Sequence, residues 1–226
     1  MRTSIFLRAG RLPAGAVPAT DCPDGRDHHA GRGGGRLVHD GDLVALEGFT
    51  HLIPFAPGHE IIRQGRRRLT LARMTPDVVY DQLIGMGCAE RLIFSWGGNP
   101  GVGSLHRLRD AVEHAWPVPL ALEEHSHAGM LWGITGVQRE AVLAARRSLV
   151  TVEEVVDRLD PRPGSVVLPG WVVTAVAHVP GGAHPSYASG YSRRDNGFNR
   201  AWDATSRDRD RFTGWMQEHV LGRADG

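Results

Sequence analysis

Lysine is missing from this 226-residue chain, whose 26 basic residues are all arginine. A Walker-type phosphate loop, a Schiff-base lysine and a Ser-Lys nucleophile pair are therefore not available from the chain itself. Cysteine is nearly absent as well. Cys22 and Cys88 stand far apart and outside any CxxC, so neither a disulfide framework nor a cysteine-rich zinc site is expected, and a reducing cytoplasmic location is. Long apolar runs are lacking too. The opening MRTSIFLRAG holds few apolar residues before Arg8, too few for a secretory signal, and no later run reaches spanning length. The formal charge is only +1, which leaves no electrostatic basis for a dedicated nucleic-acid or membrane-surface binder. The expectation is accordingly no nucleic-acid and no membrane partner. Hydrophobic residues make up 41% of the chain, enough for a sizeable buried core.

Residues 1–36 are rich in Gly, Pro and Arg and end in Gly31-Arg32-Gly33-Gly34-Gly35-Arg36. They read as a flexible leader, with the RGG-like end part of it rather than an RNA-binding segment. Residues 37–226 form the folded domain, in which short apolar runs alternate with helix-like windows. Strands are expected at Leu43–Leu46, Leu69–Ala72, Leu92–Ser95 and Val166–Leu168. Helices are expected near Gly58–Gln64, over Pro76–Ile84 with Pro76 in the first turn, and after Gly103, where Leu105, Leu108, Ala111 and Val112 keep helical spacing. Thr151 and Glu154 form a T-x-x-E pair that predicts a helix through Leu159, and a last helix is expected from about Asp208 to Val220. Alternating strands and helices predict an α/β fold, a mostly parallel sheet flanked by helices, with ligands at the carboxyl ends of its strands.

Two glycine-containing loops follow predicted strands: Glu47-Gly48-Phe49-Thr50-His51 and Ser95 through Gly103, which includes Gly97, Gly98 and Asn99. Each reads either as a structural turn or as a backbone cradle for a phosphate or thioester oxygen. The second lacks dinucleotide-fingerprint spacing. Glu123-Glu124-His125-Ser126-His127 gathers two carboxylates, two imidazoles and a hydroxyl after an apolar run. His125 and His127 share one face of an extended strand with Glu123 and could begin a metal site. No third or fourth ligand is assignable beyond them, so local polar hydrogen bonding is preferred and no metal is expected. A serine hydrolase centred on Ser126 lacks the G-x-S-x-G elbow. Val179 through Tyr187 reads as an irregular loop, and Trp171, Trp202 and Trp215 as core or interface anchors.

The words HDGDLVALEGFTHLIPFAPGHEIIRQGRRRLTLARMTPDVVYDQLIGMGC, LIFSWGGNPGVGSLHRLRDAVEH, LEEHSHAGM, LWGITGVQREAVLAARRSLVTVEEVVDRL and VPGGAHPSYASGY resemble the alpha (A) subunit of the class I CoA-transferases. The likeness is greatest to the branch of the 3-oxoadipate and glutaconate CoA-transferase alpha subunits, over roughly residues 37 to 221. It implies the alpha-type fold of that family and a heteromeric enzyme that moves CoA from succinyl-CoA to a small dicarboxylic 3-oxoacid, 3-oxoadipate. The implied partner is the beta (B) subunit of the CoA-transferase, and a glutamate of that partner is the implied nucleophile. It passes through a mixed anhydride and a glutamyl thioester, which divides one difficult exchange into easier steps. No catalytic nucleophile is then assigned to this chain. Gly48, Phe49, Thr50 and His51, with Gly97, Gly98 and Asn99, are the implied backbone donors to the thioester oxyanion or the substrate carboxylates. Glu124, His125 and Ser126 complete the implied substrate-binding set. A CoA thioester is expected as substrate, with no permanently bound cofactor. Met130 and Leu131 meet where the family carries several tens of further residues, so an internal deletion near 130/131 and a weakened sheet are expected. The alternatives are a CoA-thioester hydrolase subunit of the same fold and an inactive, decayed gene product.

Overall fold

The computed structural model describes residues 3–9, 37–48, 51–99, 103–124, 138–156 and 167–222. In chain order its elements are β1 (Thr3–Ala9), β2 (Leu43–Glu47), α1 (Phe55–Arg63), β3 (Leu69–Ala72), α2 (Val78–Gly85), β4 (Ala89–Phe94), α3 (His106–His114) and β5 (Ala121–Glu124). They continue with α4 (Gln138–Ala144), β6 (Arg147–Val152), a 3-10 turn (Gly170–Val172), β7 (Ala175–His178), α5 (Asn196–Arg207), α6 (Arg209–Met216) and a π-helical turn (Gln217–Leu221). The seven strands form one sheet in the order β5-β4-β3-β2-β1-β6-β7. Pairings β2–β3, β3–β4, β4–β5 and β6–β7 are parallel, whereas β1 runs antiparallel to both of its neighbours. The expected mostly parallel α/β sheet is therefore present, with helices against it.

The parallel strands owe their places to apolar runs that close packing keeps dry. Val44, Leu46, Leu69, Leu71 and Leu92 are all fully buried, and Val44 pairs with Leu71 in the central register. Burying one such side chain contributes roughly 1.5–3 kcal/mol. Helix α2 is buried along its whole length because α1 and α3 flank it. It is therefore buried on every side rather than amphipathic, polar Asp81 and Gln82 included. Asp77 caps it by accepting a hydrogen bond from the Val79 amide. Pro76 thus precedes the cap and lies outside the expected first turn. At the far end of the fold, Arg209 grips Asp110 of α3 with two hydrogen bonds of 2.7 and 2.5 Å. Arg107 and Arg209 both lie over the Trp116 ring, about 5 Å from its centroid.

Several expectations need correction. Thr3–Ala9 is a strand inside the sheet, not part of a leader; it pairs Ile5 with Glu47 and Thr3 with Val152. Residues 10–36 lie outside the described residues. The T-x-x-E pair opens no helix over 151–156, because Thr151 is buried in β6 and 153–156 follow as an irregular segment. All six residues of β6 are buried, and ladder pairing on both sides overrides a local capping signal that is worth only about 1 kcal/mol. Glu153 instead accepts from the Gly181 amide, and Glu154 from the Tyr191 hydroxyl. Val167 and Leu168 carry no strand; the nearby strands are β6 and β7. Val112 is 45% exposed and turns away from the core that Ala111 joins. The last expected helix begins beside Asp208, which caps α6, but gives way to the π-helical turn at Gln217. No helix among the described residues is long and apolar enough to cross a membrane.

Candidate active site at the carboxyl ends of the parallel strands

Strand β2 ends in a tight reversal at Gly48. Its φ is +156°, and a Cβ there would come within 2.7 Å of the Leu52 carbonyl oxygen and 2.9 Å of the His51 oxygen. Only glycine lets the chain fold back so closely. The reversal delivers residues 51–56 to the irregular segment 182–187. The Leu52 amide donates to Tyr187 O at 2.9 Å and the Ala56 amide to Gly182 O at 3.0 Å. The Ile53 amide donates to the Ser186 hydroxyl, which itself donates to Ala183 O. His51 meets Tyr187 edge to face at 4.7 Å. Two sequence words that lie far apart in the chain are thereby joined beside the carboxyl end of the central strand β2.

The end of β3 supplies a buried charge cluster. Arg73 reaches Asp77 with an N–O separation of 2.9 Å, both side chains almost fully buried. Its guanidinium lies 5.5 Å from the centroid of the Tyr80 ring. The Tyr80 hydroxyl accepts from the Leu46 amide and donates to Ala72 O, each at 2.9 Å, and so clasps the ends of β2 and β3. Burial pushes the Glu47 carboxyl above the usual carboxylate range; Arg73 draws it back part of the way, and Asp77 adds to the rise. Asp77 is raised by burial as well, against the pull of Arg73. Burial also raises the Tyr80 phenol. One buried guanidinium thus serves two carboxyl groups.

The loop after β4 is tied down in its turn. The Gly98 amide donates to Pro76 O, and Asn99 and Gly103 exchange backbone hydrogen bonds. The Asn99 side chain, 2% exposed, donates to Asn199 O at 2.9 Å. The amides of Gly98 and Asn99 are therefore engaged inside the fold. A ring at Trp96, 57% exposed, lies across Gly98.

Between these loops lies a cleft. Ile53, Phe55, Val78 and Pro185 form its apolar walls, and Asp77, Ser186, Arg194 and Asn199 its polar ones. The structure thus brings Gly48 and His51 to the cleft region and connects Asn99 to it through Asn199. Glu124 does not come near: β5 lies at the sheet edge, three strand spacings or roughly 14 Å from β2. Phe49, Thr50, His125, Ser126 and the 130/131 join lie outside the described residues. Glu123 faces Arg91 across the β4–β5 pair at 3.5 Å. Among the described residues no group of three or more His, Cys, Asp or Glu is placed to hold a metal ion.

Arg73, Asp77, Ser186, Arg194 and Asn199 are not among the site residues expected from the sequence. Asp77 has a signal in its Pro76-Asp77 pairing ahead of an apolar helix, and Asp195, which caps α5 through the Phe198 amide, has the same kind. Nothing local marks Arg73, because a buried arginine looks like a surface one until its partner is placed.

Comparison with known proteins places the molecule among acyl-CoA enzymes. The chain is 48% identical to the alpha (A) subunit of 3-oxoadipate CoA-transferase of Pseudomonas knackmussii in an alignment of 258 residues that takes in 84% of this chain and 92% of the relative. That alignment is longer than the chain itself, so the relative carries residues without a counterpart here. The crystal structure of glutaconate CoA-transferase from Acidaminococcus fermentans matches with a TM-score of 0.75 at 22% identity, over 87% of this chain and 89% of that one. The decarboxylase AibA/AibB matches with a TM-score of 0.67 at 18% identity, over 85% and 98%. These two likenesses show a shared fold, and a fold that also carries a decarboxylase does not by itself set the reaction. No family model matches the chain.

Proposed function

Since the chain belongs to the alpha-subunit family of class I CoA-transferases, we propose that it is the alpha subunit of a heteromeric enzyme that moves CoA from succinyl-CoA to 3-oxoadipate. The observation that carries this reading is the 48% identity to a relative of that name, sustained over 92% of the relative's length. The CoA thioester is substrate rather than resident cofactor, and the assembly works in the cytoplasm. The additional residues of the relative fall, in this reading, at the join of Met130 and Leu131.

The cleft supports a role in binding and orientation. Its apolar walls suit an acyl chain, and the reversal at Gly48 places the backbone of the β2 loop beside it. Glu47 and Asp77 are poor nucleophiles, because burial favours their protonated forms and Arg73 is bound to Asp77. That agrees with a nucleophilic glutamate on the beta subunit. Gly48 and His51 on one side, with Gly97 on the other, are left to face the substrate, and Glu124, His125 and Ser126 bind carboxylates at the end of β5, apart from this cleft.

The test is reconstitution. The isolated chain should exchange no CoA between succinyl-CoA and 3-oxoadipate, and the chain co-expressed with a cognate beta subunit should do so. Exchange by the isolated chain would overturn the division of labour. Release of free CoA without formation of 3-oxoadipyl-CoA would make the complex a hydrolase.

A further inference from the structure

Residues 73–77 connect the end of β3 to α2, and both glycine loops of the candidate site lean on them. The Arg73 amide donates to Ile93 O of β4 at 3.0 Å. Met74 O accepts the Ser95 and Trp96 amides, and Pro76 O accepts the Gly98 amide. The loop after β4 is thus fastened to this connection. On its other side the Arg73 guanidinium lies against the Tyr80 ring, whose hydroxyl clasps Leu46 and Ala72. Its charge also acts on Glu47, the residue before the Gly48 reversal. Asp77 lines the cleft. The ion pair from Arg73 to Asp77 closes the connection upon itself, from its first residue to its last.

Stability does not account for that pair. Its side chains are 3% and 4% exposed, and taking two charges out of water offsets most of their mutual attraction, so apolar replacements often leave a fold as stable or more so. What the pair supplies is direction. A guanidinium holds its donors in a fixed plane, and the carboxylate it meets is itself fixed by the Val79 amide. Arg73 is not among the residues that line the cleft, so it acts through Asp77 and the two loops.

We propose that Arg73 is a positioning residue: its pair with Asp77 braces the connection between β3 and α2 and so sets the β2 loop and the β4 loop at the spacing the reaction needs. The inference rests on the CoA-transferase reading and deepens it. Loss of the brace lets the two loops drift apart without removing any group that touches substrate. A displacement of about 1 Å costs about a hundredfold in rate, and the loss appears in kcat because the misplaced groups still bind the ground state.

The experiment compares the complex of this chain and its beta subunit with a double variant, Arg73→Met with Asp77→Asn, and with Arg73→Lys. The double variant removes both charges of the pair together, and asparagine still caps α2. It should keep the thermal midpoint of the complex, lower kcat about a hundredfold and leave the KM for succinyl-CoA and for 3-oxoadipate unchanged. Arg73→Lys keeps the charge without the fork and should recover part of the loss. Unchanged kcat overturns the proposal. So does a raised KM with kcat intact, which would make the pair a substrate contact, and so does a collapsed midpoint, which would make it a stability element. Amide hydrogen exchange gives a readout free of turnover. In the double variant the Trp96, Gly98 and Leu52 amides should exchange about tenfold faster, with those of Leu149 and Val150 in β6 unchanged. If the wild-type complex exchanges no CoA while these three amides still depend on the pair, the transferase reading falls and the brace stands. If CoA exchange proceeds and the amides are as protected as in wild type, the brace falls and the transferase reading stands.

Discussion

Asp81 is fully buried in α2, yet it caps a different helix. Its Oδ1 accepts the amides of Arg107 and Leu108, 2.9 Å each, at the start of α3, where the N-cap residue Leu105 offers no side-chain bond. Burial pushes its carboxyl up to about 7, although the two amides and Arg107 favour the charged form. From about pH 4 to pH 7 the folded chain therefore holds a proton that the unfolded chain has released, and stability falls as pH rises through that window. His59 works in the opposite sense. Burial, opposed by its hydrogen bond to Gln82, lowers its imidazole to about 4, so stability falls as pH drops from 6.5 towards that value. The two slopes overlap and oppose each other, and a variant separates them. Asp81→Asn keeps an acceptor for both amides and removes the titration. Its urea midpoint, compared with wild type, should improve from pH 5 to about pH 7 and level off above it. A constant difference between the two proteins would show that Asp81 is ionised throughout.

The helices meet more closely than their sequences suggest. A Cβ on Gly85, the last residue of α2, would stand 2.5 Å from Phe212 and 2.7 Å from Arg107. Phe212 is fully buried in contact with Trp116 and Trp202 and has little room to yield. Alanine gains at most about 1 kcal/mol over glycine in a helix, whereas overpacking a core costs roughly 1–3 kcal/mol. Gly85→Ala should therefore lower the thermal midpoint by about 2–8 °C, and an unchanged or higher midpoint would show that α6 shifts freely. The same distinction between local and distant causes governs what can be read from the sequence. The strands β2 and β3 and the helix α2 are legible there, because runs such as LVAL and LTLA are apolar, bury Val44, Ala45, Leu46, Leu69 and Leu71, and need no distant partner to identify them. Helix α5 is not, since its polar NGFNRAWDATSR buries only Asn199, Trp202 and Ser206. Within the site, Gly48 and His51 are legible from a glycine at a strand end. The arginines are not, because the segment that holds Arg194 reaches the cleft through contacts between residues more than 120 apart.

Taken whole, the sheet has two parallel halves, β2–β5 and β6–β7, joined by the antiparallel β1. A Gly/Pro/Arg-rich beginning hides that strand, whose seven residues acquire meaning only from β2 and β6. The antiparallel direction of β1 also decides where its first residue points. Thr3 pairs with Val152 and Ile5 with Glu47, each at the carboxyl end of its strand, so whatever precedes Thr3 emerges on the cleft side of the sheet. The other terminus leaves from the opposite side: Val220 receives a 2.6 Å hydrogen bond from Arg63, at the end of α1 that points away from the cleft. An affinity tag or fluorescent protein fused ahead of Met1 should therefore crowd the mouth of the cleft and weaken co-elution with the beta subunit. The same fusion after Gly226 should leave assembly and turnover intact. For this chain the choice of vector becomes a measurement of strand direction.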